Sequence, residues 1–452
     1  MKGRAYKQYL LTILLVILAF NYVDRLALGL VLQDIKRDLI LSDSQLGLLT
    51  GIAFALFYAV MGIPIARWAD RGNRSTIITI TTALWSVAVV VCGLVTNFSQ
   101  LMLVRIGVAV GEAGCIPPAH SLIADYFDRG ERPRAVARYM LGGSLSVVIG
   151  YFAAGWINEF FGWRIMFVLI GAPGLILALL AWLTIREPRV HRAQMFDEPK
   201  SRVIDDPDAV QTAEPSVREV LVTLWQKASF RHLLLGFSVI YFFAYGINQW
   251  QPAFFIRSFG FATGELGTWF AVIYGVGGIF GTYLGGEWAA RHAVSNERRQ
   301  LRGAALAYSG AGLVSVLIYM SGNRFAALLA VGAATVGLAI ANGPLFATIQ
   351  TLVPERMRAM SIATIYLFAN LVGMGLGPLA AGTLSDLLRP WQGEESLRYA
   401  LLLLCPGYAW AAWHVWRAGR TVTEDIARTP HNGRETEHDA KRSPSELSVQ
   451  RC

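Results

Sequence analysis

Apolar runs recur from one end of this sequence to the other, near 9–32, 45–69, 75–96, 99–122, 135–157, 163–185, 231–256, 264–290, 301–320, 325–350, 359–385 and 396–417. Each is long enough to cross a hydrocarbon core of about 30 Å as a helix. In lipid a backbone must satisfy its own hydrogen bonds, which a helix does within one segment. The expected fold is an all-α membrane protein with twelve transmembrane helices. Composition agrees, since a chain of 452 residues that is 54% hydrophobic and only 16% charged is too apolar for a soluble protein of this size.

The formal charge of +9 raises the question of nucleic acid, and the placement of the basic residues answers it. Basic groups crowd the N-terminus (Lys2, Arg4, Lys7) and the second, fourth and eighth loops (Arg67, Arg71, Arg74; Arg129, Arg132, Arg134, Arg138; Arg291, Arg298, Arg299, Arg302). Basic residues recur in the central linker and the tail, whereas the third loop carries none and the fifth, seventh and ninth carry about one each, at Arg164, Arg257 and Arg324. By the positive-inside rule both termini are cytoplasmic, which requires an even number of spans. No nucleic-acid partner is expected. Cys92, Cys115 and Cys405 lie in apolar runs and Cys452 ends the chain, so neither a disulfide framework nor a metal site is implied. The basic start followed by a long run reads as an uncleaved first span. Short loops point to a multi-pass protein of a bacterial inner (plasma) membrane, and a monomer is expected.

Residues 186–230 form a polar, proline-bearing stretch that reads as a cytoplasmic linker between an N-terminal bundle of six helices (1–185) and a C-terminal one (231–418). Residues 419–452 read as a disordered cytoplasmic tail. The two halves repeat at an offset of 220–227 positions: 67–71 (RWADR) answers 287–291 (EWAAR), 131–135 answers 355–359, and 150–155 (GYFAAG) answers 377–382 (GPLAAG). A parallel duplication with a site between the halves is the transporter logic in which one half rocks against the other.

The loop after span two, Ala66-Arg67-Trp68-Ala69-Asp70-Arg71-Gly72-Asn73-Arg74, resembles the signature of the major facilitator superfamily, keeping Asp70, Arg71 and Arg74 while replacing its flanking glycines by Ala66 and Asn73. Within that superfamily the chain resembles the Spinster-like transporters. The resemblance is carried by Asn21-Tyr22-Val23-Asp24-Arg25, by Asp70 to Arg74, and by Arg105 through Gly111-Glu112-Ala113 to Ile123-Ala124-Asp125-Tyr126-Phe127. It implies a twelve-helix fold of two six-helix bundles, and a sphingoid phosphate or lysophospholipid as the class of substrate. It also implies a gate in which Asp70, with Arg71 and Arg74, meets the start of span eleven.

Charge inside the spans is costly, about 2.5–3.5 kcal/mol per group on insertion scales, so Asp24, Arg25, Arg105 and Glu112 mark a proton, ion or substrate path. Arg105 and Glu112 are seven residues apart, nearly on one helix face. Asp24 and Arg25 diverge by about 100° around their helix and do not simply neutralise each other. Asp24 is expected to pair or compete with Arg105, with Asp24, Arg105 and Glu112 as the proton-coupling set. For Glu112 a second proton site, a partnership with Arg25 and a protonated interhelical contact all stay open. Arg25 or Arg105 would take an anionic head group, and Tyr245, Asn248, Gln249, Asn342 and Asn370 of the second half would line the site. Gly373, Gly375, Gly377 and Pro378 are expected to allow close packing or a bend, and His120 to pack.

No nucleotide loop, metal constellation or nucleophile with a base appears, so an enzyme is not expected and no cofactor beyond the proton gradient is needed. The expected function is proton-coupled transport of an anionic amphiphile. A symporter of small organic anions such as sugar acids is the second reading, and a non-transporting receptor or passive lipid scramblase a third.

Overall fold

The computed structural model of the chain describes residues 3–128, 130–188, 217–354 and 357–428. Ten continuous apolar helical stretches in it are long enough to cross a membrane, and two of them, Arg132–Thr184 with 53 residues and Met360–Ala427 with 68, exceed a single crossing. At 1.5 Å per residue the shorter of these would reach about 80 Å, well beyond a bilayer. Each is interrupted by a glycine with positive φ, Gly162 at 79° and Gly393 at 57°. A residue without Cβ takes that left-handed conformation at little cost and ends the helix there. Divided at those glycines, the ten stretches become twelve helices of spanning length, in line with the twelve apolar runs.

Span one is the helix Arg4–Leu39 and span seven is Ala228–Phe259. Several others are broken. Span two divides at Gly51 into Asp43–Thr50 and Ile52–Arg71, span four into Phe98–Glu112 and Ile116–Tyr126, and span ten into Arg324–Ile340 and Asn342–Leu352. In span four the prolines Pro117 and Pro118 enter the first turn of the second piece, where a missing backbone N–H costs nothing. Span eleven is Arg358–Phe368, a π-helical turn over Ala369–Met374, then Gly375–Gln392. Of the close packing or bend expected around Gly373–Pro378, the close packing is present beside this π-turn: a Cβ on Gly377 would sit 2.3 Å from the Phe242 carbonyl oxygen. The last helix runs to Ala427, into the stretch expected to be a disordered tail, of which 429–452 lie outside the described residues. Val217–Gln226 is a helix within the expected linker, of which 189–216 lie outside the described residues.

The repeat seen in the sequence has a direct meaning in the packing. Spans five and eleven carry the matched Gly-x-x-Ala-Ala-Gly segments, and each packs on a helix of the opposite bundle, span five on span eight and span eleven on span two. A Cβ on Gly155 would sit 2.5 Å from the Thr263 carbonyl oxygen and 3.2 Å from the Gly267 Cα. A Cβ on Gly47 would sit 2.5 Å from the Pro378 carbonyl oxygen and 2.8 Å from the Leu379 Cα. Only glycine allows backbones this close, which is how helices associate in a solvent that gives no hydrophobic drive.

The same symmetry reaches the helix ends. A carboxylate oxygen of Glu159 on span five accepts the N–H of Gly264, in the first turn of span eight, at 2.7 Å. The Asp386 carboxylate on span eleven accepts the N–H groups of Asp43 at 3.1 Å and Ser44 at 2.7 Å, in the first turn of span two. Glu159 and Asp386 are 227 positions apart (386 − 159), and Ser44 and Gly264 are 220 apart (264 − 44). Each bundle thus supplies a carboxylate that caps a helix of the other, satisfying backbone donors that have no partner within the helix.

Candidate functional site

The four intramembrane charges meet as two crossed pairs between spans one and four. An Arg105 guanidinium N–H donates to the Asp24 carboxylate at 2.6 Å, both side chains being buried. Arg25 Nε donates to Glu112 Oε2 at 2.7 Å. Adjacent residues on one helix thereby take partners seven residues apart on another, which the divergence of Asp24 and Arg25 around span one permits. The partnership of Glu112 with Arg25 is one of the three roles left open for it by the sequence. Glu112 is also the last residue of its helix, at the break in span four. Broken spanning helices gather at transporter sites because irregular backbone at membrane depth is tolerated where protein or a cavity surrounds it.

A cavity of about 480 Å³ lies between the bundles. Arg25 and Arg105 line it, with Tyr22, Phe54, Tyr151, Tyr245, Tyr274, Asn248 and Gln249. Asp24 and Glu112 are fully buried behind the arginines and are absent from the lining. Arg25 lies over three rings at 4.5–4.9 Å, those of Tyr22, Phe54 and Tyr58, and Arg105 lies 5.3 Å from the Phe54 ring. Cation–π contact of this kind holds a guanidinium in place while one side stays accessible. Asp24 Oδ1, Glu112 Oε1, Asn21 Oδ1 and Trp85 Nε1 are buried without a hydrogen-bond partner among the described residues. Spare donor and acceptor capacity thus surrounds both carboxylates.

Of the expected binding residues, Arg25, Arg105, Tyr245, Asn248 and Gln249 come together here. Asn342 does not join them. It lines a smaller cavity of about 240 Å³ inside the second bundle, which shares Tyr245, Asn248, Tyr274 and Thr335 with the first. Asn370, on the π-turn of span eleven, lines neither. Phe54 and Tyr58, which clasp Arg25, and Tyr151 were not singled out by sequence reasoning, since an aromatic ring in a span ordinarily reads as packing. His120 packs edge-on against Tyr139 at 5.4 Å, as a packing residue would.

The expected gate residues separate as well. Asp70 and Arg71 are exposed at the end of the helix Ile52–Arg71. The approach to span eleven that Asp70 was expected to meet includes 355–356, which lie outside the described residues. Arg74 is fully buried. It is paired with Glu187, donates to Asp125 at 2.7 Å, and donates to the Ser121 hydroxyl at 2.8 Å. Those partners belong to the end of span four and the segment after span six, so Arg74 fastens the first bundle to itself. Replacing it by alanine leaves the buried Glu187 carboxylate without its cation, a loss of about 3–5 kcal/mol for such pairs. The expected result for Arg74→Ala is a lower midpoint of thermal unfolding with unchanged ligand affinity in the protein that remains folded.

At the end of the molecule remote from the N-terminus, a second ionic cluster joins the bundles. Arg257 of span seven donates to both Asp43 carboxylate oxygens, at 2.8 and 2.6 Å, and to the Gln33 side-chain oxygen at 2.5 Å. Lys36 donates to Asp43 at 2.6 Å and Ser385 donates to it at 2.7 Å. With the caps from Glu159 and Asp386, these bonds tie the two bundles together at that end.

Comparison with known proteins agrees with this geometry. The family model described as Major Facilitator Superfamily matches residues 14–425. The chain is 32% identical over 392 residues to an "MFS-type efflux pump" of Mycolicibacterium smegmatis, covering 85% of this chain and 86% of that protein. It is 24% identical over 386 residues to a "Probable L-galactonate transporter" of Escherichia coli, covering 85% of this chain and 83% of the other. Among solved structures it is similar to a bacterial homologue of the human lysosomal transporter Spinster in an inward-facing, unoccupied conformation, with a TM-score of 0.80 and 28% identity over 94% of this chain and 99% of that one. The expected Spinster resemblance therefore holds over the whole fold, and the chain is a transporter and not an enzyme. With its duplicated bundles, its cavity between them and a family match across nearly all its spans, this protein belongs to the major facilitator superfamily.

Proposed function

We propose that the chain is a proton-coupled secondary transporter that moves an anionic amphiphile of the lysophospholipid or sphingoid-phosphate class by alternating access. The observation that carries this reading is the Arg25–Glu112 pair at the cavity wall. Arg25 faces the cavity with its charge already matched by a buried carboxylate, so a substrate phosphate and Glu112 compete for one guanidinium. A proton on Glu112 releases Arg25 to the phosphate, and proton and anion are then bound together. Asp24 and Arg105 form the second, more deeply buried pair, through which the proton's effect on Arg25 is balanced. The aromatic lining from Tyr22 to Tyr274 suits the apolar body of an amphiphile. With both termini in the cytoplasm, a reading that the distribution of basic loops supports, the ionic cluster around Arg257 is an outer gate and Asp70 with Arg71 belongs to an inner one. At 100 mV each proton supplies about 2.3 kcal/mol to the gradient.

The small-organic-anion reading has its own support, in the sugar-acid name of the Escherichia coli relative and in Asn248 and Gln249, which suit hydroxyl groups. Proteoliposomes decide between the two. The expected result is movement of a labelled lysophospholipid driven by a pH gradient and indifferent to excess galactonate; gradient-driven galactonate uptake without lipid movement would reverse the assignment. Glu112→Gln imitates the protonated acid. In it, substrate affinity is expected to stay at the low-pH wild-type level across pH, while uphill transport is lost and exchange persists.

A further inference from the structure

At the N-terminal end, away from both cavities above, spans one and five and the loop before span five enclose a pocket of about 460 Å³. Four basic side chains line it, Arg4, Lys7, Arg134 and Arg138, against one acidic group, Glu131. Glu131 is taken up by Lys7 at 3.0 Å. The Lys7 ammonium, by hydrogen bond and charge, holds the Glu131 carboxyl below the usual carboxylate range, so this acid stays ionised and engaged at neutral pH. Lys7 also lies 5.3 Å over the Phe127 ring, and Arg138 donates to the Gln8 side-chain oxygen at 3.1 Å. The Arg4 and Arg134 side chains make no hydrogen bond or ion pair among the described residues, and Arg4 adds to the positive field on Glu131. The pocket thus carries a clear cationic excess over an apolar floor of Leu11, Phe127 and Ala135.

What continues from the pocket identifies its ligand. Arg134, Arg138, Leu141, Leu145, Val148 and Phe152 recur at the three- and four-residue spacing that keeps side chains on one face of a helix. The first two are exposed cations and the other four are exposed apolar side chains. The stripe runs for about 27 Å at 1.5 Å per residue, charged at the N-terminal end and apolar beyond it. A free anion would use the guanidinium groups and ignore the stripe, whereas a lipid with an anionic head uses both. Basic pockets between spanning helices on the cytoplasmic side are suited to such heads.

We infer that this pocket binds the phosphate head of an anionic membrane glycerophospholipid, with an acyl chain along the Leu141–Phe152 face. The site is separate from the transport cavity, with which it shares no lining residue. It relies on the cytoplasmic placement of this end proposed above only for which leaflet supplies the lipid. Binding measured in detergent reads the site whichever way the chain is inserted, so failure of that placement and failure of the site are distinguishable.

The test is native mass spectrometry of the delipidated full-length protein with phosphatidylglycerol, with phosphatidylcholine of the same chains as reference. Phosphatidylglycerol adducts are expected to be favoured, and the double variant Arg134→Gln, Arg138→Gln to weaken them about thirtyfold, two charges at about 1 kcal/mol each. Equal adducts in the variant and the wild type would overturn the site. A second arm needs only the wild type: soluble glycerol phosphate in equal concentration must leave the phosphatidylglycerol adduct in place. Displacement would show a small-anion site instead and overturn the lipid assignment.

Discussion

Replacing Asp24 by asparagine is expected to abolish gradient-driven transport and to destabilise the protein at the same time. Arg105 is buried, Asp24 is its ion-pair partner, and its Nε already lacks a hydrogen-bond acceptor among the described residues. Asparagine keeps the shape and removes the charge. Breaking a buried pair while leaving one ion behind costs about 3–5 kcal/mol, or between two and four orders of magnitude in an equilibrium. Transport of labelled substrate in proteoliposomes and thermal unfolding of the same preparation measure the two effects. Uphill transport at the wild-type rate would remove Asp24 from the coupling mechanism. The double variant Asp24→Asn, Arg105→Gln separates stability from function. It is expected to recover much of the lost stability, because no buried charge is orphaned, and none of the transport.

The second large effect concerns the end of the molecule where Arg257 joins the bundles. Glu159 and Asp386 cap helices of the opposite bundle, and both caps must part before that end opens. A hydrogen bond to a charged group is worth about 1.5–3 kcal/mol; the amide oxygens still accept, and counting the loss of one such bond's worth at each cap, Glu159→Gln with Asp386→Asn gives up about 3–6 kcal/mol. A shift of about 5.5 kcal/mol carries a two-state population from 1:99 to 99:1. The expected result is a change in the resting conformation toward one open at this end. Spin labels at Phe161 and Trp391, both exposed near that end on opposite bundles, report it as a longer distance in the double variant. Each single variant is expected to give an intermediate mixture, since each cap contributes separately. An unchanged distance in the double variant would mean that the Arg257–Asp43 cluster alone holds the bundles together at that end, and that the caps serve only to finish the helices.

The two caps illustrate how legible this protein was before its fold was known. The offsets of 220 and 227 were visible in the matched segments 67–71, 150–155 and their partners, and they imply two related bundles. They did not single out Glu159 and Asp386, which differ in length and have dissimilar neighbours. Those residues answer each other only because spans five and eleven cross to the opposite bundle, bringing each carboxylate onto a helix start distant in sequence. The intramembrane charges were legible for a different reason. Asp24, Arg25, Arg105 and Glu112 stand out against lipid-compatible surroundings, and helical geometry already separates Asp24 from Arg25. Which arginine takes which carboxylate depended on the rotation of span four against span one, and no spacing within either helix contains it.

Asn370 marks the limit of reading residues by periodicity. It sits in a π-turn, where the 3.6-residue period by which helix faces are read does not apply. Arg74 marks another, because its place beside Asp70 in a loop signature conceals that its side chain points into the first bundle. By itself the sequence determined what lipid imposes locally: helices, their number, their likeness in two halves and the few charges that need a protein-lined setting. Those follow from the cost of exposing backbone and charge to hydrocarbon, which each segment meets by its own composition. Only the tertiary structure decided the crossed pairing of the charges, the joining of the bundles at Arg257 and the outline of the cavity. These depend on the approach and rotation of helices far apart in the chain, where glycine contacts of a few ångströms set which side chains can meet.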